Sequence, residues 1–291
     1  GVVTTDPSAA YVNVPGVEAT AVSIEGAVVN GTTYTTTLSG GFSNQGGDVD
    51  ATASNATATG IRIVNHGNVS VINNSGDMIV TALDTTFNPT KASPGNLGGD
   101  AYGIFIDATS SLNSFVNSGT LRVTSQGLGY HAYGIIDQSG TLSTFTNSGI
   151  IQPLISPYNT TGSILAVDLS ANTTGVNFTN SGFIGGPVRL GSGTNTVTYT
   201  NGSQLGDLSF TGGNNTLSIS NSTLTGYILL GGGASNVSIT NGAKVTGRRR
   251  EVIDYRGSNR FEAEIRRRKS EIRRKSEARS PIACVASSVG A

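Results

Sequence analysis

The sequence predicts an all-β protein, a right-handed parallel β-helix followed by a basic C-terminal tail. Three observations predict it. An Asn-centred motif recurs, its spacing settles near twenty residues, and the composition favours strands joined by tight turns. Seven times between Ile72 and Val245 the chain repeats an apolar–x–Asn–x–small pattern. Four copies are close: Ile72-Asn-Asn-Ser-Gly76, Phe115-Val-Asn-Ser-Gly119, Phe145-Thr-Asn-Ser-Gly149 and Phe178-Thr-Asn-Ser-Gly182. Three looser copies centre on Asn201, Asn221 and Asn241, and the Asn-to-Asn steps are 43, 30, 33, 21, 20 and 20 residues. A period of that size is the mark of a solenoid whose repeats stack on one another.

Each element has its own signal. Ala58-Thr-Gly-Ile-Arg-Ile63, Ala101-Tyr-Gly-Ile-Phe-Ile106 and Ala132-Tyr-Gly-Ile-Ile136 precede three of the Asn positions, and Leu165-Ala-Val-Asp-Leu169 precedes a fourth. Alternation turns Ile61/Ile63, Ile104/Ile106 and Val167/Leu169 inward, with Arg62 and Asp168 outward. By the same parity Thr59, Tyr102, Tyr133 and Leu165 are expected on the inner face. At the Asn motif, the residue two before is apolar and the residue two after is small. The residue four after is apolar in six of seven copies, Leu205 and Val245 included. Strand, Asn corner, strand is the geometry this predicts. Asn tolerates a left-handed backbone and Gly admits positive φ, so both suit a corner. Coil upon coil, the amides are expected to form a ladder.

The solenoid is placed at residues 20–247, with 1–19 as an N-terminal cap and Phe42-Ser-Asn-Gln-Gly46 as an early copy of the motif. Roughly nine to twelve coils, and a rod of about 45–60 Å, follow from a strand spacing of about 4.8 Å. The longer early steps imply insertions at Thr81–Asp100 and Gln152–Gly162. Such loops on a uniform rod are where a partner would be recognised. Host-cell, matrix or glycan surfaces are the partners expected at 81–100 and 152–162.

Charge divides the chain in two. Residues 1–247 hold five Lys/Arg against twelve Asp/Glu, whereas 248–291 hold thirteen against six, so the zero net charge is a cancellation. The tail reads as an exposed helix over Phe261–Ala278, otherwise disorder. It carries little aromatic interleaving, and no nucleic acid is expected as a partner. The one cysteine, Cys284, lies in this tail, which excludes a disulfide scaffold or a Cys-based metal site from residues 1–247. Opening on Gly1, with Met78 the sole methionine, the chain is expected to be a processed product or a fragment. It contains neither a signal-peptide pattern nor eighteen consecutive apolar residues.

Candidate chemistry is sparse. Sugar hydrolysis needs two carboxylates at a set separation. Asp48 and Asp50 alone stand two apart, and they read as a solvated turn. Asp107 and Asp137, each following a Gly-Ile strand, read as turn residues. A serine hydrolase needs a His base. His66 sits in an Asn-His-Gly corner, and His131 lies between Tyr130 and Tyr133 without a nucleophile motif. Phosphate loops and calcium repeats are absent, and Gly231-Gly-Gly233 is a turn. No catalytic residue, cofactor or metal is expected.

The Phe-x-Asn-Ser-Gly-x-Ile/Leu motif, as in Phe145-Thr-Asn-Ser-Gly-Ile-Ile151 and Phe178-Thr-Asn-Ser-Gly-Phe-Ile184, resembles the passenger domains of bacterial autotransporters. The resemblance covers roughly residues 20–247. It implies secretion across a Gram-negative outer membrane and display at the cell surface, often for adhesion. The family continues into a translocator barrel. Here Lys244-Val-Thr-Gly247 passes into an Arg-rich stretch instead, so 248–291 is expected to be frame-shifted, fused or foreign. A polysaccharide-active β-helix and a phage- or filament-type rod remain as alternatives.

Overall fold

The computed structural model describes residues 15–87 and 97–247, in twenty-seven strands and no helix. The first coil holds β1 (Ala19–Glu25), a β2–β3 hairpin (Ala27–Val29, Thr32–Tyr34), β4 (Thr36–Leu38), β5 (Phe42–Asn44) and β6 (Asp48–Ser54). The next two hold β7 (Ala58–Val64), β8 (Gly67–Asn74) and β9 (Asp77–Leu83), then β10 (Ala101–Ile106), β11 (Ser111–Asn117) and β12 (Thr120–Ser125). They are followed by β13 (Ala132–Asp137), β14 (Thr144–Asn147), β15 (Ile150–Ile155), β16 (Ile164–Leu169), β17 (Asn177–Asn180) and β18 (Phe183–Ile184). The short final coils hold β19 (Val188–Leu190), β20 (Thr196–Thr200), β21 (Ser203–Leu205), β22 (Leu208–Phe210), β23 (Thr216–Ser220) and β24 (Thr223–Thr225). The last comprises β25 (Ile228–Leu229), β26 (Asn236–Thr240) and β27 (Lys244–Thr246).

From β7 onward every third strand pairs in parallel with its counterpart in the next coil, giving three long sheets. The first runs β1-β7-β10-β13-β16-β19-β22-β25, eight strands for eight coils. The second contains the Asn motif (β8, β11, β14, β17), and the third follows it (β9, β12, β15, β18). This is the parallel β-helix that the spacing predicts. The coil number is lower than the nine to twelve expected. The early coils use 30 to 43 residues on long strands and loops, so the column is seven steps of about 4.8 Å, or about 34 Å. The one antiparallel pair among the described residues, β2–β3, turns through Asn30-Gly31, both at positive φ, as a two-residue hairpin requires.

The core is a stack of like residues. Phe115, Phe145 and Phe178 are fully buried, with ring centroids 5.4 and 4.3 Å apart. Ile61, Ile104, Ile135 and Val167 form a second column on the first sheet, all without exposure. Each such side chain contributes about 1.5–3 kcal/mol by leaving water.

Beside the Phe column runs the amide ladder. Nδ2 of Asn44 donates to Oδ1 of Asn74 at 2.8 Å, Asn74 to Asn117 at 2.8 Å, Asn117 to Asn147 at 2.7 Å and Asn147 to Asn180 at 2.8 Å. All five are buried. None has positive φ: they are inward-facing residues at strand ends, not left-handed corners. The turn after them needs Gly for another reason. A Cβ on Gly149 would stand 2.0 Å from the Gly119 carbonyl oxygen, and one on Gly182 2.1 Å from that of Gly149.

Asn201, Asn221 and Asn241 do not join this ladder, contrary to the periodicity. At β20 the pairing slips: Phe178 meets Val197 and Asn180 meets Tyr199. The three later asparagines are exposed, with φ of 58°, 47° and 53°. Tyr199 ends the buried amide column, its hydroxyl hydrogen-bonded to buried Gln204. The slip also turns Leu205 outward, 48% exposed, and puts Gln204 and Leu224 inside.

A second departure concerns the first sheet. A Cβ on Gly103 would meet the side chains of Leu121 and Val123, so this residue faces inward, and so does the next, Ile104. Two successive inward residues interrupt the alternation, as at a bulge. Tyr102 and Tyr133 are therefore thrown to the outer face, not to the inner one that alternation predicts. Parity counted from Ile104 misses the step.

The insertions are also shorter than expected. Thr81–Leu83 belongs to β9, and Gln152–Ile155 pairs with Arg122–Ser125 in β15, Pro153 opposite Val123. The segment 88–96, the N-terminal 1–14 and the tail 248–291 with its expected helix lie outside the described residues.

Candidate interaction surface

The carboxylates serve turns. Asp107 Oδ2 accepts from the Asn65 N–H at 2.8 Å, and its Oδ1 from the Thr109 N–H at 2.9 Å. Burial pushes its carboxyl upward, but these donors together with Ser110 outweigh it, and the group lies below its ordinary value. Buried Asp137 accepts from the N–H groups of Ser139, Gly140 and Leu142 at 2.9, 3.1 and 3.0 Å. Asp48 and Asp50 project from one face of β6, with Asp77 beside Asp48. Burial and then repulsion from Asp48 raise the Asp50 carboxyl, and Asp77 adds to it. No group of three His, Cys, Asp or Glu among the described residues has metal-binding geometry. His66, at φ 67°, occupies the tight corner its neighbours imply.

Three loops of consecutive coils meet on the edge between the third and first sheets. They are 97–100, 126–131 and 156–163. Asn159, buried between them, donates to the carbonyls of Gly127 and Tyr130, both at 2.8 Å. Its Oδ1 accepts from the N–H groups of Gly129 and Gly162 at 3.0 and 2.7 Å. All four sites of one amide are thus used to bind two loops together. Ser125 Oγ donates to the Gly99 carbonyl at 2.9 Å, and the His131 N–H to Asp100 Oδ1 at 2.8 Å. The Ser163 N–H donates to His131 Nδ1 at 3.1 Å, which leaves the ring proton of a neutral imidazole on Nε2. On this ridge Leu97, Leu128 and Tyr158 are 42%, 39% and 36% exposed. Two of the loops belong to the insertions singled out from sequence. The middle one, 126–131, was missed, though its Gly127-Leu-Gly129 is a turn signal.

Beside the ridge, the outer face of the first sheet carries a shallow groove of about 410 Å3. Tyr102, Phe105, Tyr133, Ile136, Asp168 and Arg189 line it. The Tyr102 and Tyr133 rings stack at 5.1 Å, His131 stacks on Tyr133 at 5.7 Å, and Phe105 meets Tyr102 edge-on at 5.6 Å. The Tyr102 hydroxyl donates to Asp100 Oδ2 at 3.2 Å. Burial first, and then the Asp100 charge, push this phenol up, so it stays a hydrogen-bond donor. Two ion pairs flank the rings: Arg62 with Glu25 at 3.4 Å, and Arg189 with Asp168 at 3.9 Å. Arg62, Glu25 and Arg189 are 42%, 39% and 58% exposed, so these pairs contribute little to stability, whereas Asp168 is 18% exposed and also accepts from the Ser170 N–H. The arrangement suits recognition. Sugar stacking is poorly served, because Tyr133 already carries a ring against it on two contacts.

No protein-family model matches this chain, and no curated protein or solved structure is significantly similar to it.

Proposed function

We propose that the protein is a non-enzymatic, adhesin-like β-helical scaffold of the autotransporter-passenger kind, secreted or displayed at the surface of a Gram-negative cell. The loop ridge carries the proposal: three loops, two tied by Asn159 and the third by Ser125 and the His131 N–H, present Leu97, Leu128 and Tyr158 to solvent from a rigid rod. Loops locked in place bind with less ordering entropy to overcome than free ones. The Phe-x-Asn-Ser-Gly motifs support the family assignment. The carboxylates that cap turns at Asp107 and Asp137 weigh against sugar cleavage.

Binding of the purified chain to immobilised matrix proteins, cultured cells and glycans tests the reading. A surface captured by the wild type, and lost by Leu128→Asp with Tyr158→Ser, supports it. Release of reducing or unsaturated ends from polysaccharide, with no binding at the ridge, would replace it with the enzymatic alternative.

A further inference from the structure

The outer face of the first sheet has a charge order that reads the same from either end with the signs exchanged. Parallel register places Ser23, Arg62, Phe105, Ile136, Asp168 and Arg189 in one row across six consecutive strands, β1, β7, β10, β13, β16 and β19. At the Ser23 end the charge is that of Glu25, whose carboxylate is hydrogen-bonded to Ser23 and paired with Arg62. Along the rod the row therefore runs acid, base, apolar, apolar, acid, base. Its span from Arg62 to Arg189 is four strand steps, about 19 Å. The neighbouring row runs Thr59, Tyr102, Tyr133, Leu165.

We infer that this face binds a second copy of the same chain, rod against rod in antiparallel orientation. A two-fold axis parallel to the strands, passing between Phe105 and Ile136, makes the contact isologous. It sets Arg62 opposite the partner's Asp168 and Arg189 opposite the partner's Glu25. Phe105 then meets the partner's Ile136, and Tyr102 meets the partner's Tyr133. Every charge in the row finds its opposite, twice, around an apolar centre. A parallel arrangement about an axis along the rod would set Arg62 against Arg62 and Asp168 against Asp168. The charges thus select one orientation, as complementary interfaces do. Although residues 1–247 are acidic overall, two of their five Lys/Arg stand in this row, so the row itself is balanced, Arg62 and Arg189 against Glu25 and Asp168. This contact is independent of what the loop ridge binds.

Sedimentation velocity of the full chain across a wide concentration range tests it, with Arg62→Glu and Asp168→Arg made separately. The wild type is expected to dimerise, and each reversal, acting at both symmetric contacts, to weaken association at least about tenfold. In an equimolar mixture of the two variants, one contact of the mixed dimer is a charge-reversed ion pair and the other is the native pair of Arg62 with Asp168. Both contacts are then attractive, and the mixture is expected to dimerise about as well as the wild type. Rescue in the mixture also shows that both variants are folded. A wild type that stays monomeric overturns the inference. So does either variant associating as strongly as the wild type, or a mixture associating no better than its components.

Discussion

The side-chain amide of Asn117 donates to Oδ1 of Asn147 at 2.7 Å across thirty residues of sequence. The same nitrogen also reaches the carbonyls of Gly119 and Ile150 at 3.2 and 3.3 Å. One buried side chain thus joins two coils and closes the turn that separates the second sheet from the third. The column of which it is part turns a repeated tripeptide into a vertical tie along the rod.

Replacing Asn147 by Ala removes its bonds, takes the donor from the buried Asn180 acceptor and leaves the Asn117 amide only its longer contacts with the Gly119 and Ile150 carbonyls. A buried polar group that loses its partner costs about 1–3 kcal/mol. Asn147→Ala is expected to lower the unfolding free energy by roughly 2–4 kcal/mol, measured by denaturant titration. Asn221→Gly, at an exposed left-handed corner, is expected to change it by under about 0.5 kcal/mol. Equal effects at the two sites would show that the two kinds of Asn are not distinct.

The Phe column gives a second test. Phe145 lies between Phe115 and Phe178 with no exposed surface, and the register of fixed strands limits collapse around a cavity. Phe145→Ala is expected to cost about 3–5 kcal/mol, read from the same titrations. A loss below about 1 kcal/mol would mean that the column is not a packed core.

Gly149 is required for space and not for its φ. A Cβ there would lie 2.0 Å from the Gly119 carbonyl oxygen, whereas one on Gly232 meets nothing within 4 Å. Gly149→Ala is expected to separate the coils locally and lower the thermal midpoint by several degrees, at a cost of about 1–3 kcal/mol. Gly232→Ala is expected to leave the midpoint within a degree or so.

Two carboxylates give opposite pH dependences. The Asp107 carboxyl lies below its ordinary 3.8, so its stabilisation is complete above that value and is lost as pH falls through the lower folded one. Asp107→Asn is expected to flatten the acid limb of the stability profile. The Asp50 carboxyl lies above 3.8. Its contribution is present below 3.8 and is lost as pH rises through the folded value. Asp50→Asn is expected to raise stability at about pH 7 and leave it unchanged at about pH 3. Thermal melts at the two pH values compare the variants. Asp50→Asn with no gain at neutral pH would remove the repulsion from the account.

Architecture was legible where one residue repeats at one place in the coil. Phe115, Phe145 and Phe178, each two before an Asn and four before a Gly, stack as their spacing states. Legibility failed where spacing was kept while geometry changed. Asn201 stands two residues after Tyr199, as Asn180 stands after Phe178, yet pairing slips by two and the amide goes to solvent. The Asn-Gly dipeptide at 201–202, which favours a left-handed turn, was the available signal. Tyr102 and Tyr133 were misplaced because Gly103 and Gly134, with no side chain to reveal a face, absorb a break in the alternation. The candidate surface was half visible. Its loops follow from insertions in the period, but their union depends on Asn159, whose partners Gly127 and Tyr130 lie a full coil away and carry no mark of it in the sequence.

That coils stack in this register is tested most directly by disulfide formation. With Cys284→Ser to remove the native thiol, cysteines replace Thr120 and Ile150, outward-facing partners on β12 and β15. Strand neighbours about 4.8 Å apart fall within the span a disulfide closes. Rapid, near-complete intramolecular oxidation of Thr120→Cys with Ile150→Cys is expected, and little for Thr120→Cys with the inward Ile151→Cys. Preference for the 120/151 pair, or oxidation of neither, would contradict the stacked register on which the rest depends.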